Sequence, residues 1–98
     1  MRKVGISQNV EKQILNLRTF LLEEWKLSEN AAYQRTARMN LFLKSLGGIA
    51  DYPLCRFKKW RNLGYHCVVF EKNWVFAYEI LEDGIIIQDM SHTNLLRE

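Results

Sequence analysis

Four cations, Arg56, Lys58, Lys59 and Arg61, fall within six positions of this chain, with Phe57 and Trp60 set among them. From Tyr52 to Phe70 there is no acid to offset them. Clustered arginine and lysine grip phosphate oxygens, and interleaved aromatics either stack on unpaired bases or pack inward. A solvated surface run is the plain alternative. A second polar group follows in His66, Glu79, Gln88 and His92, all within segments otherwise rich in Val, Ile, Phe, Tyr and Trp. Whether these side chains meet depends on the strands that carry them.

Those strands are the clearest elements in the chain. Tyr65–Glu71, Trp74–Leu81 and Ile85–Met90 have the composition of a pleated, half-buried surface, and the joins between them are too short for anything but antiparallel neighbours. If both hairpins turn on two residues, Lys72-Asn73 and Asp83-Gly84, one face carries Cys67, Val69, Trp74, Phe76, Tyr78, Ile80, Ile85 and Ile87. The other then carries Val68, Phe70, Val75, Ala77 and Met90 together with the four polar side chains. In that register His66 lies opposite Glu79 and Glu79 opposite Gln88. A three-residue turn over Glu82–Gly84 would flip the last strand and move Gln88 and His92 away.

Upstream, Lys3–Ser7 reads as a short edge strand. Val10, Ile14, Leu17, Leu21 and Trp25 recur at helical spacing and predict a helix over Gln8–Lys26, capped by Ser7 or Asn9. Ser28 caps a second helix, Glu29 to about Leu46, which buries Ala32, Thr36, Met39, Phe42, Leu43 and Leu46 and stops at Gly47-Gly48. The short join makes the two an antiparallel hairpin. Ile49–Leu54 is a loop fixed by Pro53. Cys55–Trp60 opens a further strand, separate from Tyr65–Glu71 or continuous with it through a bulge at Arg61–Gly64. Trp25, Trp74 and Phe76 are expected in the core, and Tyr78 packs with its hydroxyl at the rim. The expected fold is α+β, a helical hairpin on one face of a twisted antiparallel sheet.

At 98 residues there is room for one hydrophobic core and one domain, 1–98. No apolar run reaches membrane-spanning length, and no apolar stretch follows the basic N-terminus to make a secretory signal. Cys55 and Cys67 are too few and too unpatterned for a disulfide framework or a zinc site, which fits a reducing cytoplasm. No metal or cofactor is expected. A net charge of +3 leans toward an anionic partner.

Taken in order, these elements resemble the RelE/ParE superfamily, toxins of bacterial type II toxin–antitoxin systems. The resemblance spans nearly the whole chain. In the C-terminal half it rests on Pro53, the basic run Arg56–Arg61, Tyr65-His66, Trp74–Tyr78 with Glu79-Ile80, the Glu82-Asp83-Gly84 turn, Ile85–Ile87 and His92. It implies a cytoplasmic protein with a cognate antitoxin and one of two targets. RelE-like members cleave mRNA on the ribosome without a metal, by attack of a ribose 2′-hydroxyl on the neighbouring phosphate. Such a site needs cations at the developing charge and an acid or base. The resemblance then gives Arg56, Lys58, Lys59 and Arg61 the phosphates, and His66, His92 and Glu79 the proton transfers. ParE-like members instead poison DNA gyrase, without enzymatic chemistry. This chain has His66 where RNA-cleaving members often have an arginine, and its tail, His92-Thr93-Asn94-Leu95-Leu96, lacks the arginine and tyrosine often found there. A diverged member that binds an antitoxin without being toxic is therefore a third reading.

Overall fold

The computed structural model describes residues 3–48 and 53–93. Most of the loop expected over Ile49–Leu54, and the tail after Thr93, lie outside the described residues. The elements are β1 (Lys3–Ile6), α1 (Gln8–Glu23), α2 (Glu29–Ser45) with a 3-10 turn at Leu46–Gly48, α3 (Lys58–Arg61), β2 (His66–Phe70), β3 (Trp74–Ile80) and β4 (Gly84–His92). The fold is α+β, two long helices packed on a four-stranded sheet of order β1-β4-β3-β2.

The helical hairpin follows its sequence signals closely. Ser7 and Ser28 cap the two helices, their side chains accepting the Val10 and Ala31 N–H groups. Val10, Ile14 and Leu21 of α1 are buried, as are Ala32, Thr36, Met39 and Leu43 of α2. The buried Thr36 hydroxyl is satisfied within the hairpin, donating to backbone carbonyls of α2 and accepting the Arg18 Nε–H at 3.2 Å. Trp25 departs from expectation. The helix ends at Glu23, Lys26 adopts φ 55°, and the Leu27 N–H reaches back to the Leu21 carbonyl. That closing turn lifts Trp25 off the apolar stripe and leaves it 58% exposed.

The sheet is mixed, not wholly antiparallel. β2, β3 and β4 form the expected meander, while β1 lies parallel to β4, with Lys3 paired to Gly84 and Ile6 to Ile87. Both helices, α3, β2 and β3 lie between these two strands in sequence, and a connection of that length permits the parallel pairing, which no tight turn could. Gly84 serves this junction. A Cβ built there would sit 2.6 Å from the Lys3 carbonyl oxygen, so glycine is needed for close backbone approach and not for a left-handed turn. Gly84→Ala should push β1 off the sheet edge and destabilise the domain by about 1–3 kcal/mol, read as a lower urea midpoint.

The meander's register differs from the two-residue-turn reading at both ends. β2 and β3 are joined by three residues, Glu71–Asn73, with Glu71 at φ 49° and Lys72 at φ 67°, so Phe70 pairs with Trp74. One extra turn residue reverses which face every β2 side chain occupies. Between β3 and β4 the turn has two residues as expected, but they are Glu82-Asp83, one position earlier. The Leu81 N–H donates to the Gly84 carbonyl and Ile80 pairs with Ile85, which keeps Ile80, Ile85 and Ile87 on one face. A bulge at Ala77/Tyr78 then shifts the partners from Ile87 to Asp89 and leaves Gln88 as the extra residue.

Both faces of the sheet are consequently covered. On the helix side, Val68, Phe76, Tyr78, Ile85, Ile87 and Met90 pack against Val10, Ile14, Met39, Leu43 and Leu46. Tyr78 is fully buried there and does not sit at a rim. On the far side a smaller core joins Cys55, Trp60, Val75 and Ala77, flanked by Phe57, Tyr65 and Cys67. The strand expected at Cys55–Trp60 does not form. Leu54 makes an isolated bridge to His66, and the chain then turns into α3, whose one buried side chain is Trp60. With Trp60 held in the far core, that face of the sheet is not the open polar surface the sequence suggested.

Candidate nucleic-acid interface

Arg56, Lys58, Lys59 and Arg61 are all exposed, on α3 and the residue pair that leads into it. Trp60 is the reason they face outward. A single turn of helix that buries its indole to 2% exposure must present its other side chains to solvent. Lys59 Nζ lies 4.8 Å above the indole ring and the Arg56 guanidinium 5.1 Å from the Phe57 ring centroid, so two of the cations rest on aromatic faces. Phe57 meets Trp60 edge-on at 6.1 Å. Of the two uses open to these aromatics, Trp60 takes the inward one, and base stacking by it is closed off.

Three ties hold the turn in place. The Trp60 Nε1–H donates to Asp89 Oδ2 at 3.1 Å. The Tyr65 N–H donates to the Trp60 carbonyl and the Cys55 N–H to the Tyr65 carbonyl, which folds the segment back on itself. Cys55 and Cys67 form a disulfide. This corrects the reading of two unpatterned cysteines. A separation of 12 residues says little by itself, but the fold-back at Leu54–His66 brings the pair to a Cα separation of 4.8 Å. Closing a loop of that length restricts the unfolded chain by about 3 kcal/mol.

Asp89 was not legible as a site residue, and it organises this region. Its Oδ1 accepts from Asn9 Nδ2 at 3.3 Å, Gln13 Nε2 at 3.1 Å and the Met90 N–H at 2.8 Å, while Oδ2 takes the indole. One carboxylate thus couples the first turns of α1, strand β4 and α3. The available signal is an acid near the end of an expected strand, Ile85–Met90, where a charge needs partners.

The three proton-transfer candidates do not converge. His66 pairs with Tyr78, not Glu79, and stacks on its ring at 5.6 Å on the helix side of the sheet. Glu79 pairs with Ile86 and points to the other face, next along the strand from Tyr78. Its Oε1 still meets Gln88, accepting from Nε2 at 3.2 Å, because the bulge brings that side chain round. His92 pairs with Trp74 and meets its ring edge-on at 5.2 Å. His66 and His92 thus lie on different strands at registers four residues apart on β3, which is roughly 13 Å along the strand direction. Both are on the face opposite α3. Of the three, only Glu79 shares the face that α3 covers.

No family model matches this chain, and no curated protein or solved structure matches it. The site must therefore be read from its own geometry. That geometry offers a fixed cationic turn suited to phosphate oxygens, the Glu79 carboxylate on the same face of the sheet beside the structural Asp89, and two histidines on the other face. Among the described residues no group of three or more His, Cys, Asp or Glu side chains is placed to hold a metal ion. No described helix is long and apolar enough to cross a membrane.

Proposed function

We propose that this chain is a RelE/ParE-type toxin that works on mRNA at the ribosome and holds the RNA backbone through Arg56, Lys58, Lys59 and Arg61. The observation that carries this reading is the outward display of Lys58, Lys59 and Arg61 on one turn pinned by a buried tryptophan, with Arg56 exposed just before it. Phosphate recognition needs charge held in fixed positions, and a solvated surface run would not need an anchor. The β-α-α-β-β-β order of the larger elements supports the same class. Its partners on this reading are a cognate antitoxin and the ribosome-bound message, in the cytoplasm. Thiols there would open the disulfide, and the Trp60–Asp89 bond with the Tyr65 and Cys55 backbone bonds would then hold α3.

Cleavage on this reading falls to Glu79, which stands on the face of the cations, and not to His66 or His92. A second reading, gyrase inhibition, is favoured by Leu15 on α1 and Tyr33 and Leu41 on α2, apolar side chains 57%, 57% and 68% exposed on the hairpin such a contact would use.

Induced expression in a bacterial host, with mRNA ends mapped from the same cultures, separates these. Growth arrest with new mRNA ends is expected, lost on replacing the four cations by alanine or on Glu79→Gln, and retained in His92→Ala. Arrest with intact mRNA and a DNA-damage response would move the assignment to gyrase. Normal growth with soluble, folded protein would end the toxin reading and leave the diverged antitoxin-binding form.

A further inference from the structure

On the face of the sheet away from α3, the helical hairpin and the β2–β3 end of the meander enclose a cleft of about 580 Å³. The size is that of sites for small organic ligands. Its floor is apolar, built from Leu17, Leu21, Met39, Phe70, Trp74 and Met90. Arg35 and Arg38 stand one turn apart on the α2 wall. The one acid lining the cleft is Glu71, whose Oε1 lies 3.6 Å from Arg38 Nη1 with both side chains about half exposed, a loose pair that an incoming anion can displace. Among the described residues Arg35 has no carboxylate within ion-pair distance.

The cleft therefore joins an apolar trough to a net positive rim. A phosphodiester chain has no use for the trough, and a neutral hydrocarbon leaves the two guanidinium groups unused. The ligand that uses both is an amphiphile with a small anionic head. We propose that this cleft binds a medium-chain monocarboxylate, its hydrocarbon along the α1 wall and its carboxylate held by Arg35 and Arg38. From Gln13 to Leu21 that wall runs about 12 Å at the helical rise, so it accommodates an extended chain of medium length. The guanidinium fork matches a carboxylate with two parallel hydrogen bonds. His92 also lines the cleft; the four cations and Glu79 assigned to RNA do not, and the site does not depend on the toxin reading.

The test is calorimetric titration of the full chain with sodium decanoate below its micellar concentration, beside the uncharged 1-decanol. Decanoate should saturate at one per chain and bind at least tenfold tighter than decanol. The double variant Arg35→Gln/Arg38→Gln, which changes two solvent-facing side chains, should lose that tenfold for decanoate and leave decanol unchanged. Leu17→Trp, which fills the trough from a half-buried position, should weaken both. Absence of saturable binding, equal affinity for acid and alcohol, or an unaltered double variant would each overturn the proposal. So would arginine-dependent binding of an acid-flanked amphipathic peptide in a protein that ignores decanoate, which would make the cleft a protein-docking groove.

Discussion

Alanine at Arg56, Lys58, Lys59 and Arg61 together should remove most of the salt dependence of RNA binding. Each lysine or arginine that neutralises a phosphate on a single strand releases counterions and adds about 0.7 to the slope of log affinity against log salt. Four contacts give a slope near −2.8, so the wild-type chain should bind a single-stranded oligonucleotide roughly fifty-fold more weakly at 200 mM than at 50 mM salt. The quadruple variant should be nearly flat over that range, and each single substitution should lower the slope by about 0.7. Fluorescence anisotropy on a labelled RNA reads this directly. Because all four side chains face solvent and Trp60 alone is buried in α3, the far-UV circular dichroism should not change. A variant that keeps the wild-type slope would show that the RNA contacts lie elsewhere and that this turn is only solvated surface.

The cations were easy to find in the sequence, and their presentation was not. Composition marks a basic run whatever structure it adopts. Reading Cys55–Trp60 as a strand gave alternate residues to opposite faces, which would have split Arg56 and Lys58 from Lys59 and Arg61. The short helical turn instead sends one aromatic inward and the charges out. What decides between the two is non-local: the indole finds Asp89, twenty-nine residues on in sequence, and an open patch over Val75 and Ala77. No local periodicity reports such a pairing.

The elements themselves were legible because each carried local signals that agreed. Serine caps, apolar spacing and the closing glycines placed both helices, and the β-branched runs placed the three meander strands. Register was lost to two single-residue decisions. The Lys72-Asn73 pair looked like a two-residue turn, yet the chain takes a third residue there and accepts left-handed Glu71 and Lys72. The bulge that leaves Gln88 without a partner in the β3–β4 register has no local marker either. Since strand side chains alternate, each change reverses a face: the longer β2–β3 turn parts His66 from Glu79, and the bulge carries Met90 and His92 to the helix side. The parallel pairing of β1 and the Cys55–Cys67 bond are tertiary outcomes in the same sense.

If Trp60 is what presents the cations, its removal should cost both stability and binding. Trp60→Ala empties the centre of the far core and strands Asp89 Oδ2, and large-to-small changes of this kind cost about 3–5 kcal/mol. Against a total of roughly 5–15 kcal/mol for a typical domain, that is a large share. At about 4–8 °C per kcal/mol for a chain of this size, the melting temperature should fall by some 15–30 °C. Trp60→Phe divides the effect. It keeps most of the packing and loses only the indole N–H, so it should cost about 1–3 kcal/mol, chiefly through the unsatisfied carboxylate. Adding Asp89→Asn to Trp60→Phe should recover part of that loss, since a neutral amide is cheaper to leave short of one partner than a charge. Thermal melts of the three variants measure the packing and the hydrogen bond separately. RNA anisotropy on the same proteins then asks whether the charges need their anchor. Trp60→Phe should bind RNA at close to the wild-type salt slope, because Phe can still hold α3 to the sheet. Trp60→Ala, measured well below its melting temperature, should bind more weakly while keeping all four cations. A Trp60→Ala protein that is folded and binds RNA like the wild type would mean that net charge alone does the work, and the fixed turn would then have no functional role.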